Sequence, residues 1–463
     1  MNKNFTEKSK WTTIGIILSL AWPTILEQVM QTAVQYIDTA MVGSLGTYAT
    51  AAVGATTTLG WLVNSTTTAL GIGFLSYIAK ACGAGDRESA KKTTAQSVLV
   101  TLISGVLFTI ILLSVSPYIP TLMQVDPNIR IITSQYFFIL YMPMLPRAAT
   151  AIFGTVLRAA GDTKTPMKVG ALVNVINVVL NFFLIYETRT VKCFSALVTI
   201  PGAGFGVIGA ATASAIAFFV GGILITVALW NHKMVSPKGY SLKPDKTILK
   251  PCLRIALPNM LQRFATTLGY VAFAAMINSL GEVSTAAHTV ANTVESAFYI
   301  PGYGMQAAAA TLTGNAYGAK DNKRMKSIAN MFLPIEIILM TLSGAALFFM
   351  APWLVSLFAD NKEVMTLGIT VLRMVAVSEP FYGLPIVIEG MMQGVGKTRQ
   401  PFVYNVIGMW GIRIIGTFIC INLLGLDLIS AWACMIAHNL LLFVMYLITF
   451  VRGKWNPLNR KEN

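Results

Sequence analysis

Long apolar runs recur along this 463-residue chain, and short polar segments separate them. A helix needs about 20 residues to cross the roughly 30 Å hydrocarbon layer of a bilayer. Charged residues make up only 11% of the chain, whereas soluble domains average about 25%. The first run is also too long for the core of a cleavable signal peptide. We therefore predict an all-α membrane protein with twelve transmembrane helices, at residues 13–42, 50–79, 94–116, 131–156, 166–187, 204–231, 252–280, 285–315, 328–350, 364–393, 402–424 and 428–451.

The basic residues predict the orientation of these spans. Of the 34 Lys and Arg, 26 lie in segments that would share a membrane side with the N-terminus, four lie on the other side, and four lie within spans. Cytoplasmic loops carry the excess of Lys and Arg. We expect a multi-pass protein of the plasma (inner) membrane with both termini in the cytoplasm. The net charge of +15 then reflects topology, so we expect the lipid bilayer and no nucleic acid as a partner.

The second half of the chain repeats the first at an offset of 235 residues, without a gap. Pro23 aligns with Pro258, Asp86 with Asp321, and Gly161 with Gly396. Each half holds six predicted spans, so the two bundles should have the same orientation and enclose a cavity near the midplane. We predict an N-lobe at 1–231, a cytoplasmic linker at 232–251 and a C-lobe at 252–463. Two bundles that can rock about one cavity favour a transporter over a channel or receptor.

The sequence lacks the motifs of metal-binding proteins, disulfide-rich proteins and enzymes. The five Cys are scattered without a CxxC pair, and the three His share no helical face, so we expect no metal centre and no disulfide framework. HExxH, GxSxG and paired catalytic carboxylates are absent from the sequence, which argues against an enzyme. We expect no cofactor.

Acidic residues within the spans are the first candidates for function, because an ionisable group inside a membrane costs about 2.5–3.5 kcal/mol on insertion scales. The repeat provides a control, since none of the aligned residues in the other half is acidic. The fold can therefore be built without acids at these places. The six acids are Glu27, Asp38, Glu295, Glu336, Glu379 and Glu389, and they align with Gln262, Phe273, Gly60, Thr101, Met144 and Gly154.

Asp38 is the strongest of these candidates. Gln31, Gln35 and Asp38 form one polar stripe on the first span, and Asn177 and Asn181 belong to a stripe on the fifth. Oxygen-rich side chains around one carboxylate suit a hard monovalent cation, and they would also tune a proton-binding acid. Sodium and proton both remain open.

The C-terminal half offers acids beside aromatic residues. Such a combination suits lipophilic cations through charge and cation–π attraction. The acids could instead pair with arginine, as Glu295 with Arg413 or Glu379 with Arg373. Our candidates for substrate binding or gating are Glu295, Tyr299, Glu389, Tyr382, Gln31, Gln35 and Arg413.

Several motifs resemble those of the MATE (multidrug and toxic compound extrusion) transporters. Residues 35–46, QYIDTAMVGSLG, resemble the family's first-helix signature, and 158–166, RAAGDTKTP, resemble its loop after the fourth helix. Residues 390–398 and 314–319 are similar to family patterns in the second lobe. The resemblance runs from about residue 13 to 455. It implies a MATE/MOP-type fold and export of amphipathic, mostly cationic compounds against sodium or protons, by rocker-switch alternating access. We expect a monomer.

The resemblance also implies a first-lobe cation site at Asp38, Asn177, Asn181 and Ser214. Asn181 stands where the DinF-like branch has a second Asp, so this chain is more similar to the NorM-like branch. Thr266 and Tyr382 stand where that branch has acids in its second lobe. An alternative function is a flippase for a lipid-linked precursor in the same superfamily. Six acids against four bases within the spans favour export.

Overall fold

The computed structural model of the chain describes residues 10–193 and 196–459. Helices built from the apolar runs dominate it. The N-lobe comprises α1 (Lys10–Gly43), α2 (Thr47–Ala84), α3 (Arg87–Val115), α4 (Ile119–Leu122), a 3-10 turn (Pro127–Ile129), α5 (Arg130–Tyr141), α6 (Met144–Ala159), α7 (Lys164–Leu184), strands β1 (Glu187–Cys193) and β2 (Ala196–Ala203), and α8 (Gly206–Asn231).

The C-lobe follows the connection after α8. Its eleventh predicted span is one helical stretch that alternates between α- and π-helical turns, from Arg399 to Leu423. The C-lobe comprises α9 (Lys246–Asn278), α10 (Glu282–Phe298), α11 (Ile300–Gly318), α12 (Asn322–Ser356), α13 (Lys362–Gly394), α14 (Arg399–Val406), π turns (Ile407–Ile414), α15 (Ile415–Phe418), π turns (Ile419–Leu423), α16 (Leu428–Val451) and a 3-10 turn (Pro457–Asn459).

Two of the twelve predicted spans are broken helices. Among the described residues, ten helices are long and apolar enough to cross a membrane, and α5 with α6, bent by 48°, makes an eleventh. The predicted span 285–315 divides at Tyr299 into helices of 17 and 19 residues. Pro301 opens the second of them, where its missing N–H costs no helical hydrogen bond. The helical membrane architecture is confirmed, and the predicted spans 131–156 and 285–315 each consist of two helices.

A β-hairpin between α7 and α8 was not predicted. Strands β1 and β2 pair antiparallel, with Arg189 opposite Ile200 and Thr190 opposite Thr199. The guanidinium of Arg189 lies 4.4 Å from the Phe182 ring centroid, which attaches the hairpin to the end of α7. The predicted all-α class is confirmed, and this hairpin, in which β-branched residues alternate with polar ones, is a local addition to it.

The same turn precedes the third span in both halves of the chain. Gly85 and its aligned residue Lys320 both have left-handed backbones, with φ of 75° and 53°. The next residues, Asp86 and Asp321, each cap the following helix by accepting a hydrogen bond from the backbone N–H three residues on, at 2.9 Å in both lobes. One turn chemistry thus begins the third span of each half.

The two lobes meet closely at the membrane end that carries the termini. The buried core of the N-lobe lies between α2, α6 and α8, and that of the C-lobe between α11, α12, α13 and α16. Here the C-terminal ends of α2 and α11 touch through their backbones. A side chain added at Gly83 would collide with the carbonyl of Asn315, and one added at Gly318 would collide with the carbonyl of Lys80. Only glycine permits this backbone approach. This end of the molecule is closed, and we call it the closed end.

Candidate functional site

The predicted polar residues of the N-lobe converge around Asp38. This residue lies on α1, and the Asn181 Nδ2 on α7 donates to its Oδ1 at 2.6 Å. Asn177, one turn earlier on α7, is bonded to Ser214 on α8, with 2.9 Å between Nδ2 and Oγ. The structure therefore brings all four residues of the predicted cation site together, from three helices.

The Asn177 amide can take two orientations here. In one, its oxygen accepts from Asn181 Nδ2 at 3.2 Å. In the other, its nitrogen lies 2.9 and 3.2 Å from the two Asp38 oxygens, while its oxygen accepts from the Ser214 hydroxyl at 2.9 Å. An amide can turn this way because its two ends are nearly equal in size. The orientation decides whether Asp38 receives donors from one asparagine or from two.

The site contains a buried oxygen that no donor of the protein fills and that a cation could bind. Asn177 and Asn181 are buried, with 5% and 1% exposure, while Asp38 and Ser214 are half-buried. The Oδ1 of Asn181 is buried without a hydrogen-bond partner. Buried acceptors usually have one, and an unfilled oxygen beside a carboxylate is what a hard cation binds. Carboxylate, amide and hydroxyl oxygens together fit a monovalent ion or a proton.

Gln31 and Gln35 extend the same face of α1 toward the closed end and are exposed. Between them and Asp38, Tyr36 donates from its hydroxyl to the carbonyl of Thr293 on α10 at 2.8 Å. Tyr36 was not among the predicted site residues. This bond joins the helix of Asp38 to the C-lobe helix that carries Glu295.

Glu389 of the C-lobe is held by four donors. Its Oε1 accepts from Gln262 at 3.0 Å and from Gln393 at 2.9 Å. Its Oε2 accepts from Asn405 and from Tyr446, each at 3.2 Å. These donors lie on α9, α13, α14 and α16, so the carboxylate links four helices. With its acceptor sites filled, Glu389 anchors these helices to one another, and its part in substrate binding or gating stays a prediction.

The arginine pairs considered for the C-lobe do not form. Ion pairs found among the described residues include Lys92 with Glu88 and Arg158 with Glu27, at 2.7 and 3.1 Å. The guanidinium of Arg413 instead lies over aromatic rings, as described next.

Aromatic faces take the place of the expected carboxylates. Arg413 lies 4.2 Å from the Phe273 ring centroid and 4.9 Å from that of Tyr270, and its Nη2 is 3.0 Å from Met435 Sδ. Arg373 similarly lies 5.3 Å from the ring of Phe348. Sequence spacing gave no means of choosing a ring over an acid.

A tyrosine cluster lies beside buried acids in the C-lobe. Tyr299 makes edge contacts with Tyr303 and Tyr382, at 5.7 and 5.8 Å between ring centroids, and the hydroxyls of those two lie 3.3 Å apart. Sequence reasoning missed Tyr303, although it stands one helical turn after Tyr299. Both predicted tyrosines thus belong to one cluster.

Three acids of the C-lobe are buried and form no ion pair with a described basic side chain. Glu295 is 7% exposed, Glu336 0% and Glu379 1%. Both carboxyl oxygens of Glu336 and of Glu379 lack a hydrogen-bond partner. A negative charge on either would be uncompensated at its place.

The ion pair between Glu27 and Arg158 was not predicted either. It joins α1 to the end of α6, with side chains 12% and 18% exposed. The repeat aligns these two residues with Gln262 and Gln393, the glutamines that donate to Glu389. The sequence repeat could have predicted this contact. An acid and a base in one half are both replaced by glutamine in the other, and such a paired change is typical of residues that touch.

Comparison with known proteins gives the family of the chain. The family model MatE matches residues 23–183 and 258–419, so its two matches begin at the aligned prolines. A probable multidrug resistance protein NorM from Thermotoga maritima is 25% identical over 461 residues, covering 98% of this chain and 96% of that protein. A probable multidrug resistance protein YoeA from Bacillus subtilis is 25% identical over 434 residues, covering 92% and 90%.

Solved structures share the fold. MATE in complex with MaL6 superimposes with a TM-score of 0.87 at 23% identity, covering 96% of this chain and 97% of that one. A MOP superfamily transporter from Pyrococcus furiosus gives 0.88 at 22% identity, covering 96% of both. An outward-facing multidrug resistance MATE family transporter gives 0.87 at 23%, also covering 96% of both.

Proposed function

The chain belongs to the MatE family of membrane transporters, and from that premise we propose that it exports amphipathic, mostly cationic small molecules in exchange for sodium ions or protons. Its family consists of transporters and not of enzymes. The excess of basic residues on one side supports a plasma-membrane protein with cytoplasmic termini. In this proposal the protein acts as a monomer.

Asp38 is the acid that carries the coupling ion in this proposal. The observation that supports it most is the 2.6 Å bond from Asn181 Nδ2 to the Asp38 carboxylate. Because the partners of Asp38 are neutral amides, the cluster keeps one negative charge, which a single sodium ion or proton would cancel. Binding the ion changes the contact between α1 and α7, because the Asn181 Nδ2 bond to Asp38 is altered, and this gives those helices a second arrangement.

Sodium and proton would use the same atoms differently. A sodium ion would take oxygens from Asp38, Asn177, Asn181 and Ser214, and this requires the amides to turn their oxygens inward. A proton would bind to Asp38 alone. The single carboxylate and Asn181 resemble the NorM-like pattern, which is our proposal for the branch.

Alternating access follows from the contact between the lobes. Closure at one end depends on the backbone contact of α2 with α11, and the Tyr36 bond to Thr293 crosses between the lobes nearer the other end. Both contacts are present in this arrangement, and we infer that rocking of the lobes separates α2 from α11 at the closed end. The tyrosine cluster with Glu295 would bind the apolar and cationic parts of a substrate, and Gln31 and Gln35 would contact it from α1.

The flippase alternative is not favoured. The matched relatives are named as probable multidrug resistance proteins. A flippase for phosphate head groups would also need a basic interior, whereas Arg413 is covered by aromatic rings and the buried Glu336 and Glu379 lack basic partners.

Efflux from proteoliposomes with sodium and pH gradients imposed separately tests the proposal. We expect Asp38→Asn to abolish the response of dye efflux to both gradients, because the variant has no charge to neutralise. Asp126→Asn is the matched control, since it caps a surface turn that Asn caps equally well. Gradient-driven efflux by Asp38→Asn at the wild-type rate would contradict the coupling role.

A further inference from the structure

A basic cavity lies at the closed end, between the lobes. It has a volume of about 680 Å³ and is bounded by α2, α9, α11 and the loop between α13 and α14. Five cationic side chains line it, and none of the described residues that line it is acidic. These side chains are Lys80, Lys250, Arg254, Lys397 and Arg399.

The cations come from both lobes. Lys80 lies on α2 of the N-lobe, and its Nζ is 5.1 Å from the ring of Tyr317 on α11. Lys250 and Arg254 lie at the start of α9 in the C-lobe, and both are exposed. Lys397 Nζ is bonded to the carbonyl of Lys454 at 2.5 Å. The other four cations face the cavity without an ion pair among the described residues.

The repeat shows that neither the fold nor the topology requires this charge. The corresponding positions of the other lobe hold one cation and one acid, so their net charge is zero. Both sets of positions lie at the same membrane end, so the positive-inside tendency acts equally on both. The five aligned residues are Asn315, Gly15, Ser19, Asp162 and Lys164.

We propose that this cavity binds the phosphate group of an anionic phospholipid. Basic pockets between transmembrane helices at the cytoplasmic side suit such head groups. The guanidinium of Arg254 can bind two phosphate oxygens, while Lys80 and Lys250 add point charges. The cavity lies where α2 ends and α9 begins, which is the level of the head groups. A phosphate held by Lys80 and Arg254 together ties the N-lobe to the C-lobe and stabilises the closed end.

Native mass spectrometry of the detergent-purified full chain tests the site with dioleoylphosphatidylglycerol as the probe. The variant Lys80→Gln/Lys250→Gln/Arg254→Gln removes cations from both lobes. Each basic residue near an anionic lipid surface contributes roughly fivefold, so we expect phosphatidylglycerol binding about 100-fold weaker. The control, Lys164→Gln/Lys323→Gln/Lys326→Gln, removes equal charge at the same end outside the cavity and should bind as the wild type does.

Two further arms identify the source of the phosphate and guard against misfolding. Displacement of the lipid by millimolar inorganic phosphate would show that free phosphate also occupies the site, and lack of displacement would assign it to lipid. If the triple variant aggregates, Arg254→Gln should weaken binding about fivefold, and Arg254→Lys should restore only part of it, because lysine supplies the charge without the two-oxygen contact. Equal phosphatidylglycerol binding by the cavity and control variants, or phosphatidylcholine binding as tight as phosphatidylglycerol, would overturn the proposal.

Discussion

Asp38 in the N-lobe and Glu389 in the C-lobe are both carboxylates placed among transmembrane helices, but their surroundings differ. Asp38 is half-buried and bonded to asparagines, one of which leaves a buried oxygen unfilled. Glu389 is 8% exposed and receives four donors from four helices. The partners of an intramembrane acid, rather than its presence, therefore decide whether it can bind and release an ion.

The contact between the first and fourth spans of each lobe also differs in the position of its acid. The N-lobe joins its first and fourth spans by an ion pair, Glu27 with Arg158. The C-lobe has glutamines at both aligned positions and places its acid at Glu389, which aligns with Gly154. The repeat has conserved the contact between the spans while the acid has changed position.

The largest effect is expected from removing the anchor of the C-lobe. Glu389→Ala removes the acceptor of four donors. Asn405 keeps the Pro401 carbonyl as an acceptor, whereas the buried donors of Gln262, Gln393 and Tyr446 lose theirs. Breaking such a network costs on the order of 3–5 kcal/mol. The midpoint of unfolding by sodium dodecyl sulfate should fall strongly. Asp38→Ala is the comparison and should change that midpoint much less. Equal unfolding midpoints for the two variants would remove the distinction drawn between the sites.

An intermediate effect is expected at the ion pair of the N-lobe. Glu27→Gln or Arg158→Gln alone leaves a mostly buried charge unpaired, whereas the double variant recreates the two glutamines of the C-lobe. The double-mutant cycle should give a coupling energy on the order of 1–3 kcal/mol, with the double variant more stable than the sum of the single losses predicts. Additive losses in the same unfolding assay would show that the two residues do not act as a pair.

A smaller and more specific effect is expected from Asn181→Asp. The change places a second carboxylate next to Asp38, so the site attracts cations more strongly and its ion response should shift by about tenfold. The measurement is efflux against sodium concentration at two pH values. Asn405→Asp changes an asparagine that donates to Glu389 and should leave the ion response unaltered. A wild-type response in Asn181→Asp would argue against Asn181 as a ligand.

Much of this architecture follows from apolar runs and turn residues, which act locally. The left-handed residues Gly85 and Lys320, each followed by an aspartate cap, show why one offset aligned the halves. The 48° bend between α5 and α6 and the hairpin after α7 were not foreseen, because hydropathy does not distinguish a continuous helix from a broken one.

The candidate site was predictable to a similar degree. Helical spacing aligned Asn177 with Asn181, and the resemblance to MATE transporters added Ser214; these three lie beside Asp38. The surroundings of Arg413 were not predictable, because a buried guanidinium can be covered by rings or by an acid, and only tertiary packing decides between them.

Cation binding to the purified protein shows directly whether Asp38 or Glu389 holds the coupling ion. Radioactive sodium bound at equilibrium and protons taken up from weakly buffered solution would be measured for the wild type, Asp38→Asn and Glu389→Gln. We predict that about one positive charge binds per wild-type molecule, that Asp38→Asn loses it, and that Glu389→Gln keeps it. If Glu389→Gln loses that charge while Asp38→Asn binds it fully, Asp38 does not bind the coupling ion.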